Sequence, residues 1–268
     1  MICRALRIIG SIDATALQAA LDDVVRRHEA LRTIVVRGAE PPYQRVYPPM
    51  PVPLTIRDLP SHPSRQQVAE DQLVEAEASS LPVEDLPLLR ATLARFDGED
   101  SVLSLVSHHL ACDGWSMNLV VRDLIACYAA RTGERPLDLP DALQYQDYTR
   151  WQLDSISQPA AMANMAYWQE QLDGARMFTL PTDRPIPAAY TAPYLRHSFV
   201  IDSDVTATIS RFVKAERFSG LMVMLAAFNV LAHRISGTLD PAVSTMFHGR
   251  GEPQFKDTVG VLLNFLLM

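Results

Sequence analysis

Cysteine is scarce in this sequence. The 268 residues contain three cysteines, at Cys3, Cys112 and Cys127. Three is an odd number, and no two of them stand in a Cys-x-x-Cys pair, so the sequence carries neither an even disulfide set nor a cysteine-based zinc motif. A reduced, cytoplasmic setting is the expectation that agrees best with this pattern.

Long hydrophobic runs are also missing. The most apolar segment, residues 221–235, is interrupted by Asn229, His233 and Arg234, and it is shorter than the roughly 20 residues that a membrane span needs. The amino end has only a short apolar run after Arg4, which does not make a secretory signal. The sequence therefore predicts a buried helix at 221–235 and no membrane partner.

Positive charge is in deficit. Lysine and arginine number 24 against 31 aspartates and glutamates, which gives a formal net charge of -7. An acidic chain lacks the basic surface that nucleic-acid binding requires, so we expect no nucleic-acid partner. The hydrophobic fraction of 48% and the charged fraction of 21% are those of an ordinary globular protein with one large domain or two smaller ones.

Hydrophobic periodicity alternates between helical and extended patterns along the chain. Helices are expected after an N-cap at Asp13, at 64–80, after an N-cap at Ser116, around Tyr167 and Trp168, at 204–217 and at 220–235. Strands are expected at 31–37, 88–96, 101–109, 198–201, 242–247 and 259–267. This alternation predicts an α/β fold with a mixed sheet covered by helices.

A proline-rich stretch separates two parts of the chain. Residues 180–193 read LPTDRPIPAAYTAP, with four prolines and no helical period. Such a composition is typical of a linker between domains. We therefore expect an N-terminal lobe at 1–179, a linker at 180–193 and a second lobe at 194–268.

The stretch SHHLACDGWS, residues 107–116, combines two histidines with an Asp-Gly turn. If the strand extends through His109, the side chains of His108 and His109 point to opposite faces, so only one histidine enters a given cavity. The N–H groups at the start of the following helix are available to an anion or a developing oxyanion. A base, a carboxylate and electropositive backbone are the parts of acyl-transfer chemistry. The same residues agree equally with a core histidine beside an ordinary turn. No HxxxH or HExxH pair accompanies them, so no metal site is expected.

Several motifs in a fixed order resemble one family, the condensation domains of nonribosomal peptide synthetases. HHLACDG at 108–114 matches that family's HHxxxDG motif, and GWS continues the match. The other similar segments are RHEALRT at 27–33, YQDYTRWQ at 145–152, YWQEQLDGA at 167–175, LPTDRPIP at 180–187, HGR at 248–250 and VGVLLNFL at 259–266. The resemblance covers nearly the whole chain.

The resemblance implies a fold and an activity. The fold is two chloramphenicol-acetyltransferase-like lobes that meet in a V, with the active site between them. The activity is amide (peptide) bond formation between acyl or aminoacyl thioesters, as in antibiotic or siderophore biosynthesis. Donor and acceptor peptidyl carrier proteins deliver these thioesters on 4'-phosphopantetheine arms, and the domain itself binds no cofactor. Two alternatives remain open: a truncated, non-catalytic docking module for carrier proteins, and an ester- or amide-forming acyltransferase that uses a soluble acceptor.

The resemblance also implies a role for particular residues. His109 would orient or deprotonate the attacking amine, and Asp113 would brace its loop by pairing with an arginine, for which Arg250 is the candidate. Gly114 would present its N–H towards the substrate tunnel. The remaining residues are His108 and Arg27 as structural supports of the site, and Trp115, Ser116 and Asn264 as substrate-channel residues.

The sequence departs from the family at both ends. The family's first motif is absent, and the second lobe is about half present, without the segments that bridge the cleft and floor the tunnel. We therefore expect an incomplete second lobe whose strand at 259–267 is an unprotected edge. Such an edge would pair with another chain, or a separate polypeptide would complete the lobe; adjacent synthetase domains are further expected partners. A well-behaved monomer in gel filtration would contradict this expectation.

Overall fold

The computed structural model describes residues 1–59, 64–78, 81–185 and 197–268. These residues divide into two units. Unit 1 is Met1–Ala161 together with Phe247–Asn264, and unit 2 is Met162–Met246 together with Phe265–Met268. The expected linker at 180–193 lies partly outside the described residues, from 186 onwards, so the division into lobes at 179 and 194 stays a prediction.

A mixed four-stranded sheet forms the centre of unit 1. Its strand order is β1–β6–β5–β4. β6 is antiparallel to both β1 and β5, whereas β4 is parallel to β5, as expected of a mixed sheet. The strands of unit 1 are β1 (Ile2–Ile9), β2 (Thr33–Val36), β3 (Tyr43–Val46), β4 (Leu54–Asp58), β5 (Leu89–Arg95) and β6 (Asp100–Ser107). β2 and β3 form a separate antiparallel hairpin.

Helices cover both faces of this sheet because its strands are apolar on both sides. Leu103 and Leu105 of β6 belong to the large core cluster with residues of α1 (Ala14–Arg27) and α3 (Gly114–Arg131). Val102, on the opposite face, clusters with Val68 of α2 (Arg65–Ala78). This division follows the two-residue alternation of a strand. The mixed sheet with helical cover predicted from the sequence is confirmed.

The predicted cap of the first helix is present. The Asp13 side chain accepts hydrogen bonds from the N–H groups of Thr15 and Ala16 at 2.8 and 3.0 Å, which satisfies two N–H groups that have no acceptor within the helix. The helix predicted at 64–80 corresponds to α2. Residues 79 and 80 of the predicted range lie outside the described part of the chain.

Unit 2 is mainly helical. Its helices are most of α5 (Pro159–Gln171), α6 (Ser203–Glu216) and α7 (Gly220–Ser236), and α4 (Tyr145–Ile156) precedes them in unit 1. Its short strands are β7 (Arg176–Met177), β8 (Pro241–Ala242), most of β9 (Ser244–Phe247) and most of β10 (Asn264–Leu267). β7 pairs with β8, and β9 pairs with β10.

Three predictions for the second half of the chain are wrong. Residues 198–201 form no strand, and the predicted strand at 259–267 is reduced to β10, because residues 259–263 make irregular contacts within unit 1. The helix at 221–235 exists as α7, but it is not buried: Leu221, Met222 and Leu231 are each more than half exposed, whereas Ala232 is buried. Apolar composition therefore predicted the helix correctly but not the exposure of its side chains.

Among the described residues, no single helix has the length and hydropathy of a membrane span. α6 and α7 meet that test only when taken together, as a pair bent by 113°.

Candidate active site

His108 and His109 lie in a turn after β6 rather than in the strand. Ser107 is the last residue of β6 and pairs with Leu89, the first residue of β5. Pro87, two residues earlier, has no N–H with which to extend the ladder. The prediction that the strand runs to His109 is therefore wrong, and so is the argument that strand alternation separates the two rings.

His108 braces this turn. Its Nδ1 accepts a hydrogen bond from the Leu110 N–H at 2.9 Å, and its carbonyl accepts one from the Ala111 N–H at 3.0 Å. Burial lowers the pKa of His108, so its ring is uncharged near neutral pH and can accept at Nδ1. These contacts support the structural role expected for His108.

His109 is exposed and lines a cavity of about 240 Å³. The other described residues that line the cavity are Ala30, Thr33, Val35, Gln44, Leu110, Tyr145 and Val261. None of these carries a charge near neutral pH, and burial raises the pKa of the Tyr145 phenol further. The Tyr145 hydroxyl donates to the Val261 carbonyl at 3.1 Å, which ties one wall of the cavity together. His109 is therefore a titratable group at an otherwise uncharged cavity.

Asp113, and not Ser116, caps α3. The Asp113 Oδ1 accepts a hydrogen bond from the Ser116 N–H at 2.8 Å, the usual N-cap contact to the third helical residue. The prediction of a cap at Ser116 is therefore wrong. Asp113 fixes where α3 begins and so sets the end of the turn that carries His109.

The predicted pairing of Asp113 with Arg250 is present. Arg250 donates to Asp113 through both guanidinium ends, at 2.9 Å to Oδ2 and 3.1 Å to Oδ1, and the two side chains are 1% and 3% exposed. Burial on its own would raise the pKa of Asp113, but the hydrogen bonds from Arg250 and Ser116 outweigh it and hold that pKa below its ordinary value. The site therefore contains a buried, ionised pair with bidentate geometry.

The same pair holds the segment 256–262 against α3. The Leu262 N–H donates to Asp113 Oδ2 at 3.2 Å. Ser116, which is fully buried, accepts from the Gly260 N–H at 3.0 Å and from Arg250 at 2.8 Å, and donates to the Gly260 carbonyl at 2.7 Å. The channel role predicted for Ser116 is wrong, because its hydroxyl is enclosed by these three contacts.

The other residues predicted for the channel are exposed. The Trp115 ring is 45% exposed, stacks on His248 with centroids 5.6 Å apart, and donates its indole N–H to the Lys256 carbonyl at 3.0 Å. Gly114 is exposed as the first residue of α3, and Asn264 is exposed at the start of β10. These positions leave the predicted roles of Gly114, Trp115 and Asn264 untested.

Gly249 is required by the backbone beside Arg250. Its φ is 67°, and a Cβ at this position would stand 1.7 Å from the Leu262 carbonyl oxygen. We expect Gly249→Ala to lower the free energy of unfolding by about 1–3 kcal/mol, because it adds a clash to a left-handed conformation. Urea unfolding followed by circular dichroism measures this change. Gly251→Ala is the matched control, since its Cβ would meet no atom within 4 Å; equal losses in both variants would contradict the assignment.

A second buried cluster joins α1 to α3. His28 is buried, and its Nε2 lies 2.8 Å from Asp123 Oδ2. Arg27 donates to the same oxygen at 2.9 Å, and Arg122 donates to Oδ1 at 2.7 Å. Burial lowers the pKa of His28, so the uncharged ring donates its Nε2–H to the carboxylate. Arg27 therefore supports the packing of α1 on α3, and His28 is a core histidine whose polar atom is satisfied.

Acid is expected to weaken this cluster. Burial would raise the pKa of Asp123, but hydrogen bonds from His28 and Arg122 lower it to about 2. An aspartate in the unfolded chain has a pKa of about 3.9. The ionised form of Asp123 therefore stabilises the fold above that pH, and this stabilisation is lost as the pH falls towards about 2. Urea unfolding from about pH 6 down to about pH 2 should show this decline. Asp123→Asn should flatten it, and an unchanged decline in that variant would contradict the assignment.

Two other chemistries find no support in this site. Burial raises the pKa of Cys112 to about 12, which disfavours the thiolate that nucleophilic catalysis needs. Among the described residues, no three histidine, cysteine, aspartate or glutamate side chains stand close enough together to hold a metal ion.

The fold and the site together define a class of protein. Helices cover a mixed sheet, and the strand β6 is followed by a histidine turn that a capped helix terminates. This is the arrangement of chloramphenicol-acetyltransferase-like acyl-transfer domains. The chain belongs to the Condensation domain family, whose model matches residues 3–268.

Similar proteins are large synthetases. The chain is 35% identical to chondramide synthase cmdD of Chondromyces crocatus over 262 residues, which is 97% of this chain and 7% of that protein. It is 34% identical to phosphinothricin tripeptide synthetase PhsC of Streptomyces viridochromogenes, over 98% of this chain and 25% of that protein. The chain therefore spans a minor part of the curated relatives that it matches.

Solved structures agree with the fold. SgcC5 of Streptomyces globisporus is 38% identical, with a TM-score of 0.88 over 100% of this chain and 61% of that one. The X-domain from teicoplanin biosynthesis is 28% identical, with a TM-score of 0.83 over 99% and 60% of the two chains. The first condensation domain of the CDA synthetase has a TM-score of 0.80 at 24% identity, and it supports the fold alone.

Proposed function

We propose that this chain is the catalytic part of a condensation domain, which joins a carrier-bound acyl or aminoacyl thioester to the amine of a second carrier-bound aminoacyl group. The observation that carries the proposal is the placement of His109. Its ring is exposed at a small uncharged cavity, and the turn that holds it is anchored by the buried pair of Asp113 and Arg250.

The chemistry asks for one proton transfer and good alignment. An α-amino group has a pKa of about 8, so a useful fraction of the amine is already uncharged near pH 7. Its nitrogen attacks the thioester carbonyl carbon, the C–N bond forms, and the C–S bond breaks as the tetrahedral intermediate collapses. His109 either holds the amine by accepting a hydrogen bond or takes the nitrogen's proton and passes it to the leaving thiolate.

The start of α3 suits the charge that develops in this reaction. Gly114 is the first residue of the helix, and it is exposed. N–H groups in the first turn of a helix have no acceptor within that helix, and the helix dipole makes this end electropositive. In our proposal the Gly114 N–H faces the oxyanion of the tetrahedral intermediate.

The expected partners follow from the family. Condensation domains act on substrates that carrier proteins hold by 4'-phosphopantetheine, and we propose donor and acceptor peptidyl carrier proteins as partners of this chain. Adjacent synthetase domains are the further partners proposed. We propose no cofactor that the domain itself would bind.

Reconstitution with two loaded carrier proteins tests the proposal. Donor-loaded and acceptor-loaded carriers are mixed with the chain, and intact-protein mass spectrometry follows the acceptor carrier. The proposal predicts that the acceptor carrier gains the mass of the donor acyl group. Carrier binding without transfer would instead identify a non-catalytic docking module and contradict the proposal.

A soluble acceptor is the second candidate, and one observation favours it. SgcC5 was solved in complex with the small diol (R)-(-)-1-(2-naphthyl)-1,2-ethanediol and with sucrose. If this chain binds such a soluble compound as its acceptor, the donor acyl group moves to a free alcohol or amine and forms an ester or an amide. The same assay separates the candidates when a soluble amine or diol replaces the acceptor carrier.

A further inference from the structure

A second cavity adjoins the cavity at His109. A neighbouring cavity of about 380 Å³ shares two lining residues with it, Val35 and Gln44. Its other described lining residues are Pro42, Tyr43, Gln146, Thr149 and Arg150. Both cavities lie between the β2–β3 hairpin and α4, and together we call them the hairpin groove.

Gln44 stands at the junction of the two cavities. It belongs to β3, and its side-chain amide donates to the Thr149 Oγ1 of α4 at 3.5 Å. Thr149 in turn donates to the Tyr145 carbonyl at 3.0 Å. A donor–acceptor distance of 3.5 Å is at the long limit of a hydrogen bond, so this partition is weak. Gln44 thus lines both cavities and is held only weakly to α4.

The inner cavity suits one uncharged side chain. Its volume of about 240 Å³ is below the roughly 300–1,000 Å³ of a pocket that holds a whole small ligand. Apart from His109, its described lining consists of aliphatic, aromatic, hydroxyl and amide side chains. A charged side chain placed there would lose its hydration and gain no opposite charge.

Geometry connects this cavity to the amine. In an α-amino acid the side chain and the amine are bonded to the same carbon atom, so a side chain lies close to whatever group contacts the amine. His109 is the group that contacts the amine in the proposed function. The side chain of the same residue can therefore reach the cavity that His109 lines.

We propose that the hairpin groove is the side-chain subsite for the amine-bearing substrate, and that Gln44 sets the length of side chain that it accepts. This inference rests on the proposed function. Uncharged side chains of leucine size fill the inner cavity, and longer ones are stopped by the Gln44 amide. Removal of that amide joins the inner cavity to the outer one.

Acceptor selectivity tests the inference. The acceptor carrier is loaded in turn with alanine, leucine, lysine and 2-aminooctanoic acid, and kcat/KM is measured for each. The wild-type chain should prefer leucine to lysine by about tenfold or more, and Gln44→Ala should raise the ratio of 2-aminooctanoic acid to leucine by about tenfold. Gln66→Ala is the matched control, because Gln66 is an exposed glutamine on α2 whose amide donates a hydrogen bond to Glu70.

A second variant and a second readout keep the two proposals separate. Val35→Phe fills the wall that both cavities share, so it should lower kcat/KM for leucine about tenfold while alanine is retained. Isothermal titration with leucyl- and 2-aminooctanoyl-pantetheine amide measures the same preference without any turnover. If no acceptor yields product, the proposed function fails, and the titration still decides the subsite. Unchanged preferences in both Gln44→Ala and Val35→Phe would overturn the subsite.

Discussion

His109→Ala is expected to lower the rate of condensation by about 10²–10⁴-fold, the usual contribution of a positioned acid–base group. The variant removes the titratable group that lines the inner cavity, and it leaves the Asp113–Arg250 pair intact. Binding of the carrier proteins should not change, because in the proposed function the imidazole contacts the amine and not the carrier protein. Single-turnover kinetics with saturating carriers isolates the loss in the chemical step.

The control for this prediction is another exposed histidine. His197 is exposed in unit 2, where its ring stacks on Phe199, and no role is assigned to it. His197→Ala should keep the wild-type rate. A His109→Ala variant as active as His197→Ala would remove His109 from the mechanism.

Arg250→Ala is expected to lower the free energy of unfolding by about 3–5 kcal/mol, because it leaves the Asp113 carboxylate buried without its partner. The loss is a large part of the roughly 5–15 kcal/mol that stabilises an average domain. It also frees the Ser116 hydroxyl from one of its contacts, so the segment 256–262 should loosen from α3. Urea unfolding at neutral pH gives the magnitude.

A second bidentate pair, whose arginine is exposed, is the control. Arg131 donates to both carboxylate oxygens of Asp23 at 2.8 Å, but its side chain is 47% exposed. Arg131→Ala should lower the stability by less than about 1 kcal/mol, because Asp23 keeps Arg26 as a partner and ion pairs near the surface contribute little. Equal losses in the two variants would show that burial of the Asp113–Arg250 pair has no energetic importance. Arg250→Met combined with Asp113→Asn should recover part of the loss, since no charge is then left buried.

Local patterns predicted much of the fold. Helical spacing identified α3, α6 and α7 within a few residues. The apolar pattern on either side of the turn sequence DGED, residues 97–100, identified β5 and β6. Side-chain chemistry within a few residues of sequence also predicted the Asp13 cap. It gave the wrong cap for α3, because Asp and Ser are equally good N-caps and stand three residues apart.

Hydrophobic periodicity could not predict contacts between residues that are distant in sequence. Asp113 and Arg250 are separated by 137 positions, and only the resemblance to a family brought them together. No local signal shows that residues 247–264 belong to unit 1 although they follow unit 2 in the sequence. Asp123 was missed for a related reason: it interrupts an otherwise apolar helix face, and two of its partners, Arg27 and His28, lie at the C-terminal end of α1. A buried acidic residue within such a face is a signal that could have been used.

The inner cavity was likewise invisible in the sequence. Tyr145 stood out in the sequence only as the first residue of the family motif YQDYTRWQ, and the structure shows that it lines the cavity at His109. Gln44 and Val35 belong to a hairpin of which the sequence predicted one strand, at 31–37. A cavity depends on how separate elements pack, so the residues that line it share no pattern along the chain.

Affinity labelling of His109 tests the account most directly. Bromoacetyl-pantetheine carries an electrophilic carbon at the position of the thioester acyl group; an imidazole nitrogen in contact with it displaces bromide and forms a C–N bond. We predict that peptide mapping by mass spectrometry finds the label on His109, and that a loaded donor carrier protects against it. Labelling that omits residue 109, in a preparation that condenses the two carrier-bound substrates, would contradict the account.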